Sequence, residues 1–146
     1  RPKYADKIFD GSKTIELRRT RPSITSGDKL FVYTTSPVME LTGCCLVVKV
    51  ISCTPEKLWE QAKKYAYIKE KDYWDYFHNC DTAYAIVLEK PTQFIPSISL
   101  HRIRAKWPSF HPPQVYHYLS LDKIQLIQNL ANVKNTQNDR KLCCNQ

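Results

Sequence analysis

Glycine is scarce in this chain: Gly11, Gly27 and Gly43 are the only three among 146 residues. A loop that cradles phosphate needs closely spaced glycines, because the backbone has to approach the phosphate. This scarcity argues against nucleotide-hydrolysing and dinucleotide-binding folds. Long apolar runs are missing as well, and none approaches the roughly 20 residues that cross a bilayer. We therefore expect no membrane partner.

Metal-ligand spacing is also missing. None of the six cysteines forms a C-x-x-C pair. His78 and Cys80 are close together, but no second ligand pair stands at zinc spacing. Cys44, Cys45 and Cys53 fall in apolar, strand-like sequence, where a free thiol behaves as a small hydrophobe. We predict reduced cysteines in a cytoplasmic protein, with no metal site and no cofactor.

Positive charge is present in excess, with a formal net charge of +8. Basic residues concentrate in residues 1–29 and again in residues 90–121. The second of these segments contains no acidic residue. Both segments also carry aromatic residues, which favours a positive face that binds nucleic acid over a merely solvated surface. The candidates for contacts with the nucleic-acid backbone are Lys3, Lys7, Arg19, Arg21, Arg102 and Arg104.

Hydrophobic periodicity predicts an α+β order without βαβ alternation. The predicted helices are 3–10, one that begins at Pro55 after an N-cap at Thr54, 70–78, and one that follows Ser120. The predicted strands are 13–19, 29–35, 41–53, 82–89, 92–100 (interrupted by Pro96) and 115–119, with a loop over 106–113. This order fits one domain over residues 1–132, a small, mostly antiparallel barrel whose ends are covered by helices. Polar residues dominate 133–146, which we expect to be a mobile tail.

One segment crowds charged side chains at a helix-to-strand junction: Gly11-Ser12-Lys13-Thr14-Ile15-Glu16-Leu17-Arg18. Strand alternation places Glu16 and Arg18 on one face, and Lys13 can turn to either side. Glu16 could be a structural ion-pair partner that holds the sheet edge. Alternatively, it accepts a hydrogen bond from the amine of a base while the two cations hold phosphate or a carbonyl oxygen.

These motifs resemble the ASCH domain family. The pattern G-x-K-x-x-E-x-R over residues 11–18, preceded by Pro-Lys-Tyr-Ala, is similar to the opening of ASCH domains. The similarity continues through Gly-Asp-Lys at 27–29, the strand at 31–37, Gly43, the late strand at 84–86 and the proline segment at 112–116. It spans residues 2–119 and includes a two-helix insert.

The resemblance implies a PUA-like barrel with a cleft that takes an unpaired or modified base of RNA or single-stranded nucleic acid. Members of the family are described as RNA-associated, often in connection with transcription regulation. Carried over by position, the pocket residues are Lys13, Glu16, Arg18, Tyr33, Thr34, Thr35, Ser36, Phe110 and Gln114. Aromatic residues among them could stack on a base, which is worth about 1–3 kcal/mol.

Two enzymatic alternatives stay open within the resemblance. One family branch resembles amidohydrolases of acylated cytidine, in which a lysine acts with a threonine and a carboxylate from the helical insert. Here Lys13 matches, but Glu16 occupies the threonine position and the carboxylate position falls near Ala66. A ribonuclease would use Lys13, Glu16 and His111 as catalytic candidates.

A third alternative is a protein partner that docks on the helical insert. This segment is rich in large aromatic residues, namely Trp59, Tyr65, Tyr73 and Trp74. We predict a binding module without catalysis, with these alternatives beside it.

Overall fold

The computed structural model describes residues 2–113, 116–132 and 143–145. The helices within these residues are α1 (Pro2–Phe9), α2 (Pro55–Ala62), α3 (Glu70–Tyr76), α4 (Leu100–Lys106) and α5 (Leu121–Ala131). The strands are β1 (Ile15–Arg18), β2 (Lys29–Thr34), β3 (Glu40–Cys53), β4 (Ala83–Ser99), β5 (Tyr116–His117) and β6 (Cys143–Asn145). None of these helices is long and apolar enough to span a membrane.

The strands form a single sheet in the order β1-β4-β3-β2-β6-β5. All neighbours are antiparallel except β2 and β6. The two edge strands, β1 and β5, approach each other through side chains, because the guanidinium of Arg18 lies 5.2 Å from the ring centre of Tyr116. The Ser23 amide also donates to the hydroxyl of Tyr118 at 2.6 Å. The predicted α+β architecture is therefore a sheet curled into a half-barrel.

The two predicted strands at 82–89 and 92–100 are one strand, β4, in the structure. β1 pairs with β4 only as far as Val87, so within the described residues the second half of β4 has a strand neighbour on one side alone. A proline lacks the amide that a central strand needs, but a free edge tolerates it. Pro96 therefore lies within the strand and does not end it.

Sequence reasoning missed α4. The helix begins after Ser99, whose hydroxyl accepts a hydrogen bond from the amide of Arg102 at 3.3 Å. Leu100 and Ile103, three residues apart, are buried on its inner face. The helix ends before Trp107-Pro108, as expected, since a residue that precedes proline avoids the helical conformation.

Residues 143–145 lie within the predicted tail. They form β6, which pairs in parallel with Phe31–Tyr33 of β2 and antiparallel with β5. The mobility expected over 133–146 stays a prediction. The remainder of that segment, 133–142 and 146, lies outside the described residues.

Three buried clusters attach the helices to the sheet and thereby position the site. α4 and α5 pack on one cluster that contains Phe31, Tyr33 and Phe110. α1 contributes Ala5 and Ile8 to a second cluster. The insert, which comprises α2, α3 and the linker between them, packs on the third cluster with β1 and β4. Edge strand β1 therefore lies between α1 and the insert.

Candidate functional site

Three charged side chains of the junction meet at the start of β1. Lys13, Glu16 and Arg18 are each only 7% exposed. One carboxylate oxygen of Glu16 accepts from the ammonium of Lys13, and the other lies 2.8 Å from Nη1 of Arg18. Glu16 and Arg18 share a face by strand alternation, as predicted. Lys13 precedes the strand, where its amide donates to the carbonyl of Lys7 at 2.7 Å, and its side chain turns toward Glu16.

These charges form the floor of a cleft of about 250 Å³. α1 supplies Tyr4, whose ring centre lies 5.4 Å from the Lys13 ammonium. The insert supplies the opposite wall. The full lining consists of Tyr4, Lys13, Glu16, Leu17, Arg18, Ala66, Tyr67, Ile68 and Tyr76. The cleft is therefore walled by aromatic and apolar groups above a charged floor, the combination that binds a flat heterocycle with polar edges.

Backbone hydrogen bonds hold the insert against β1. The carbonyl of Tyr65 accepts from the amides of Thr14 and Ile15, at 3.0 and 3.1 Å. At a second point of the insert, the hydroxyl of Tyr76 donates to the carbonyl of Leu17 at 3.4 Å. The insert wall is therefore tied at two points to the segment that carries Glu16.

Burial raises the pKa of Tyr76, although the nearby positive charge of Arg18 opposes the shift. The phenol therefore stays protonated at neutral pH and can donate a hydrogen bond. Two cations face one carboxylate at the cleft floor, so the floor carries excess positive charge. A ligand that offers a carbonyl oxygen or phosphate together with an aromatic face would match both features.

Four of the predicted pocket residues lie elsewhere. Tyr33 and Phe110 are core residues, each 1% exposed, with ring centres 6.1 Å apart. Thr34 is buried and faces the hydroxyl of Thr42 at 3.1 Å. Thr35 caps the turn after β2, where its carbonyl accepts from the amide of Val38 at 3.1 Å. Large aromatic residues at the centre of a curled sheet fill its interior, so they are unavailable to a ligand.

Two further candidates, Ser36 and His111, do not line the cleft either. Ser36 is exposed in the turn after β2, and His111 is exposed in the loop that precedes β5. Across residues 2–113 and 116–132, no histidine lines the cleft. Gln114 lies outside the described residues.

The predicted backbone-contact residues are spread over several surfaces. Lys7 pairs with Asp10 at 2.9 Å and lies over the ring of Tyr67. Arg19 donates to the carbonyl of His78 at 3.3 Å, near the end of α3. Arg21 is exposed, and the side chain of Lys3 is not described. Arg102 and Arg104 donate to the carbonyls of Leu130 and Phe110, beside α5 and away from the cleft lining.

Sequence reasoning missed the insert's contribution to the cleft. Tyr67 and Ile68 follow α2 in a linker with no periodic pattern, and Tyr67 adopts a positive φ of 51° that nothing local predicts. Tyr4 carried a signal, because it shares a helical face with Ile8, which is buried. Ala66, near which the resemblance to amidohydrolases places a carboxylate, lines the cleft. The part of the chain that the structure describes contains no cluster of three or more His, Cys, Asp or Glu side chains able to hold a metal ion.

Comparison with known proteins decides the family. The model of the ASCH domain matches residues 1–92, well over half of the chain. The chain belongs to the ASCH family. The ASCH domain-containing ribonuclease of Zymomonas mobilis is 28% identical over 131 residues, which cover 90% of this chain and 88% of the relative.

Solved structures agree with this assignment. The crystal structure of ASCH from Zymomonas mobilis superposes with a TM-score of 0.82 at 27% identity, covering 88% of this chain and 90% of that one. A tyrosine-to-phenylalanine mutant of that protein has the same TM-score at 26% identity, with 88% and 92% of the chains covered. The predicted α+β, PUA-like fold is confirmed.

Proposed function

We propose that this ASCH domain binds single-stranded RNA and holds one unpaired base in the cleft above Glu16. The observation that carries the proposal is the nearly complete burial of Lys13, Glu16 and Arg18 at the floor of an open, aromatic-walled cleft. Burying charges is costly unless they are paired, and a purely structural ion pair has no need of an adjoining cavity. The excess positive charge suits a carbonyl oxygen or phosphate, and the carboxylate suits an exocyclic amine.

The shape of the cleft supports an unpaired base over a duplex. A cleft of about 250 Å³ between a helix and an insert admits a single ring system but no double helix. Specific recognition of RNA relies on splayed bases that stack on aromatic side chains. Tyr4, Tyr67 and Tyr76 supply such faces at the walls.

A binding titration tests the proposal. Labelled RNA and DNA of the same sequence, single-stranded and duplex, are titrated at two salt concentrations, and strand integrity is checked on a gel. Single-stranded RNA should bind most tightly and lose affinity as salt rises. Equal affinity for duplex and single strand would contradict the cleft model.

Tyr67 offers a matched pair of variants for the same assay. Tyr67→Ala should weaken binding by about 1–3 kcal/mol, the usual value of one stacked base. Tyr65→Ala is the control, because Tyr65 is more exposed, at 51%, and does not line the cleft. Equal losses of affinity in both variants would show that the base does not bind in the cleft.

Glu16 should act on base preference more than on affinity. Glu16→Gln replaces an acceptor-only group by one that also donates, so the preferred base should change while binding persists. The assay compares four homopolymeric single strands. A uniform loss over all four bases would exclude a base-reading role for Glu16.

A ribonuclease is the second candidate, because the relative from Zymomonas mobilis carries that description. In RNA cleavage the 2′-oxygen attacks phosphorus, the bond to the 5′-oxygen breaks, and a cyclic phosphate results. Glu16 would take the proton of the 2′-hydroxyl, Lys13 would return a proton to the leaving 5′-oxygen, and Arg18 would stabilise the charged phosphorane. Shortened RNA with cyclic-phosphate ends, absent from a 2′-deoxy strand and from Lys13→Met, would establish this reaction. Strands that bind and stay intact would establish binding without cleavage.

A further inference from the structure

A second depression of about 380 Å³ continues the cleft along the insert. The two share Tyr4, Tyr67 and Ile68, so they form one groove. The second part is lined by Lys63, Lys64 and Lys69 and by a single carboxylate, Asp72. The groove therefore passes from an aromatic cleft into a lysine-rich extension.

Local helix energetics favour Lys63 and disfavour Lys69. Lys63 is the C-cap of α2, where a cation is favoured by the helix dipole, and it pairs with Glu60 at 2.6 Å. Lys69 is the N-cap of α3, a position that prefers Ser, Thr, Asp or Asn, and it makes no side-chain capping bond. A cation there opposes the helix dipole. Lys69 is therefore unfavourable for α3, and helix stability does not account for a lysine at this position.

The position of the lysines relative to the cleft is fixed. The linker that carries Lys64 and Lys69 is attached to β1 through the carbonyl of Tyr65, which accepts from two amides. Tyr67 lies between the two parts of the groove with a positive φ of 51°, a conformation that costs a non-glycine residue about 1–2 kcal/mol. The ammonium of Lys7 lies 5.3 Å from its ring centre. The linker thus holds its lysines at a set distance from Glu16.

We propose that Lys63, Lys64 and Lys69 bind the phosphates of the nucleotides next to the one whose base enters the cleft. The ligand of the complete groove is then a strand and not a free nucleoside. This inference rests on the proposed function, because it requires a base in the cleft. The surface that follows the RNA backbone is the insert, in place of the arginines of α4.

The test compares two triple variants of the full chain. Lys63, Lys64 and Lys69 are changed to Gln in one, and Lys57, Lys71 and Lys106 in the other. The control lysines are exposed, as the groove lysines are, but they lie within helices and line neither part of the groove. Thermal unfolding is used to confirm that both variants fold, and the affinity for a short single-stranded RNA is measured over a range of salt concentrations.

The groove variant should bind RNA more weakly, and the slope of log K against log salt should fall by about 2. Each phosphate neutralised on a single strand contributes roughly 0.7 to that slope. The control variant should keep the wild-type slope to within one such contribution. Equal slopes in the two variants, with RNA still bound, would overturn the lysine assignment and leave the proposed function standing.

Two smaller ligands complete the experiment. A free nucleoside reaches only the cleft, so its affinity should be the same for wild type and groove variant; a lower affinity in the variant would overturn the phosphate role. A nucleoside 5′-monophosphate should bind more weakly than the strand. If it binds as tightly and with the same lysine dependence, the ligand is a free nucleotide and the strand assignment is wrong. No binding of any RNA by the wild type would overturn both proposals.

Discussion

Glu16 is buried between two cations beside an open cleft, and its removal has a different consequence from the removal of either cation. Lys13 and Arg18 each lose one charge partner if Glu16 is neutralised, and the two cations then face each other. If Lys13 is neutralised, Glu16 keeps its ion pair with Arg18. Removing one member of a buried pair is costly because it leaves an uncompensated charge.

We expect Glu16→Gln to lower the free energy of unfolding by about 3 kcal/mol and Lys13→Met by about 1 kcal/mol or less. The difference arises because the first change removes the carboxylate that both cations share, whereas the second leaves Glu16 paired with Arg18. Urea denaturation of both variants at neutral pH measures it. A larger loss for Lys13→Met would show that the lysine, and not the carboxylate, holds the group together.

His117 links stability to pH. Its ring lies among aromatic side chains, with centres 6.4 Å from those of Trp107 and Phe110, and burial lowers its pKa below the usual 6.5. Below pH 6.5 the unfolded chain therefore binds a proton that the folded chain binds less readily. This contribution to stability is present above pH 6.5 and is lost as the pH falls through the lower, folded pKa.

His117→Gln should remove this acid sensitivity. Melting temperatures at about pH 7.5 and about pH 5 should differ less for the variant than for the wild type, because glutamine does not titrate. Parallel pH profiles would show that His117 does not contribute to the acid response.

At the scale of elements, the cleft depends on how closely α1 approaches the sheet. A Cβ on Gly43 would lie 2.3 Å from the carbonyl oxygen of Thr92 and 2.5 Å from the ring of Phe9. β3 therefore needs glycine at this point for α1 to pack, and α1 carries Tyr4 into the cleft wall. The family resemblance marked Gly43, but only the packing of α1 on β3 explains it.

Gly43→Ala should destabilise the fold by about 1–3 kcal/mol or more and weaken RNA binding, since α1 has to move. Gly11→Ala is the control: its φ of 79° is strained for alanine, but no atom lies within 4 Å of the added Cβ. The control should lose about 1–2 kcal/mol through its backbone alone and keep its RNA affinity relative to the wild type. Equal effects on RNA binding would show that α1 does not position the cleft.

Element prediction succeeded where the signal was local. Thr54 followed by Pro55 predicted the start of α2, and the hydroxyl of Thr54 accepts from the amide of Lys57 as an N-cap should. Element prediction failed where the neighbouring strands determine whether a strand continues. Pro96 indicated a break, yet β4 continues, because its second half has only one neighbouring strand.

At the scale of the whole molecule, β6 connects β5 to the sheet. Among the described strands, β5 forms backbone hydrogen bonds with β6 alone, so its attachment to the sheet depends on residues 143–145. Tyr116 of β5 in turn lies against Arg18 of the cleft floor. The end of the described chain therefore supports the side of the cleft on which Arg18 lies.

A chain that ends at Asn132 should unfold at a lower temperature than the full chain. Without β6, β2 loses its parallel neighbour and β5 loses the strand with which it pairs. The control replaces residues 134–141 by a Gly/Ser segment of equal length and keeps 143–145, so it should stay close to the wild type. Calorimetry measures the melting temperatures of the three chains. Equal melting temperatures for the truncated and full chains would show that β6 does not stabilise the fold.

The sequence by itself determined the elements whose signals are local, and it placed Glu16 and Arg18 on one face of β1. Capping, period-two alternation and proline act between residues close in the chain, so they placed α1, α2 and the early strands and put Glu16 and Arg18 on one face. Only the tertiary structure decided which aromatic residues meet them. Tyr33 and Tyr67 are both tyrosines in unremarkable sequence, but the curl of the sheet buries the first in the core. The bond from Tyr65 to β1 brings the second to the cleft. Such contacts join residues about fifty apart in the chain, and no local preference encodes them.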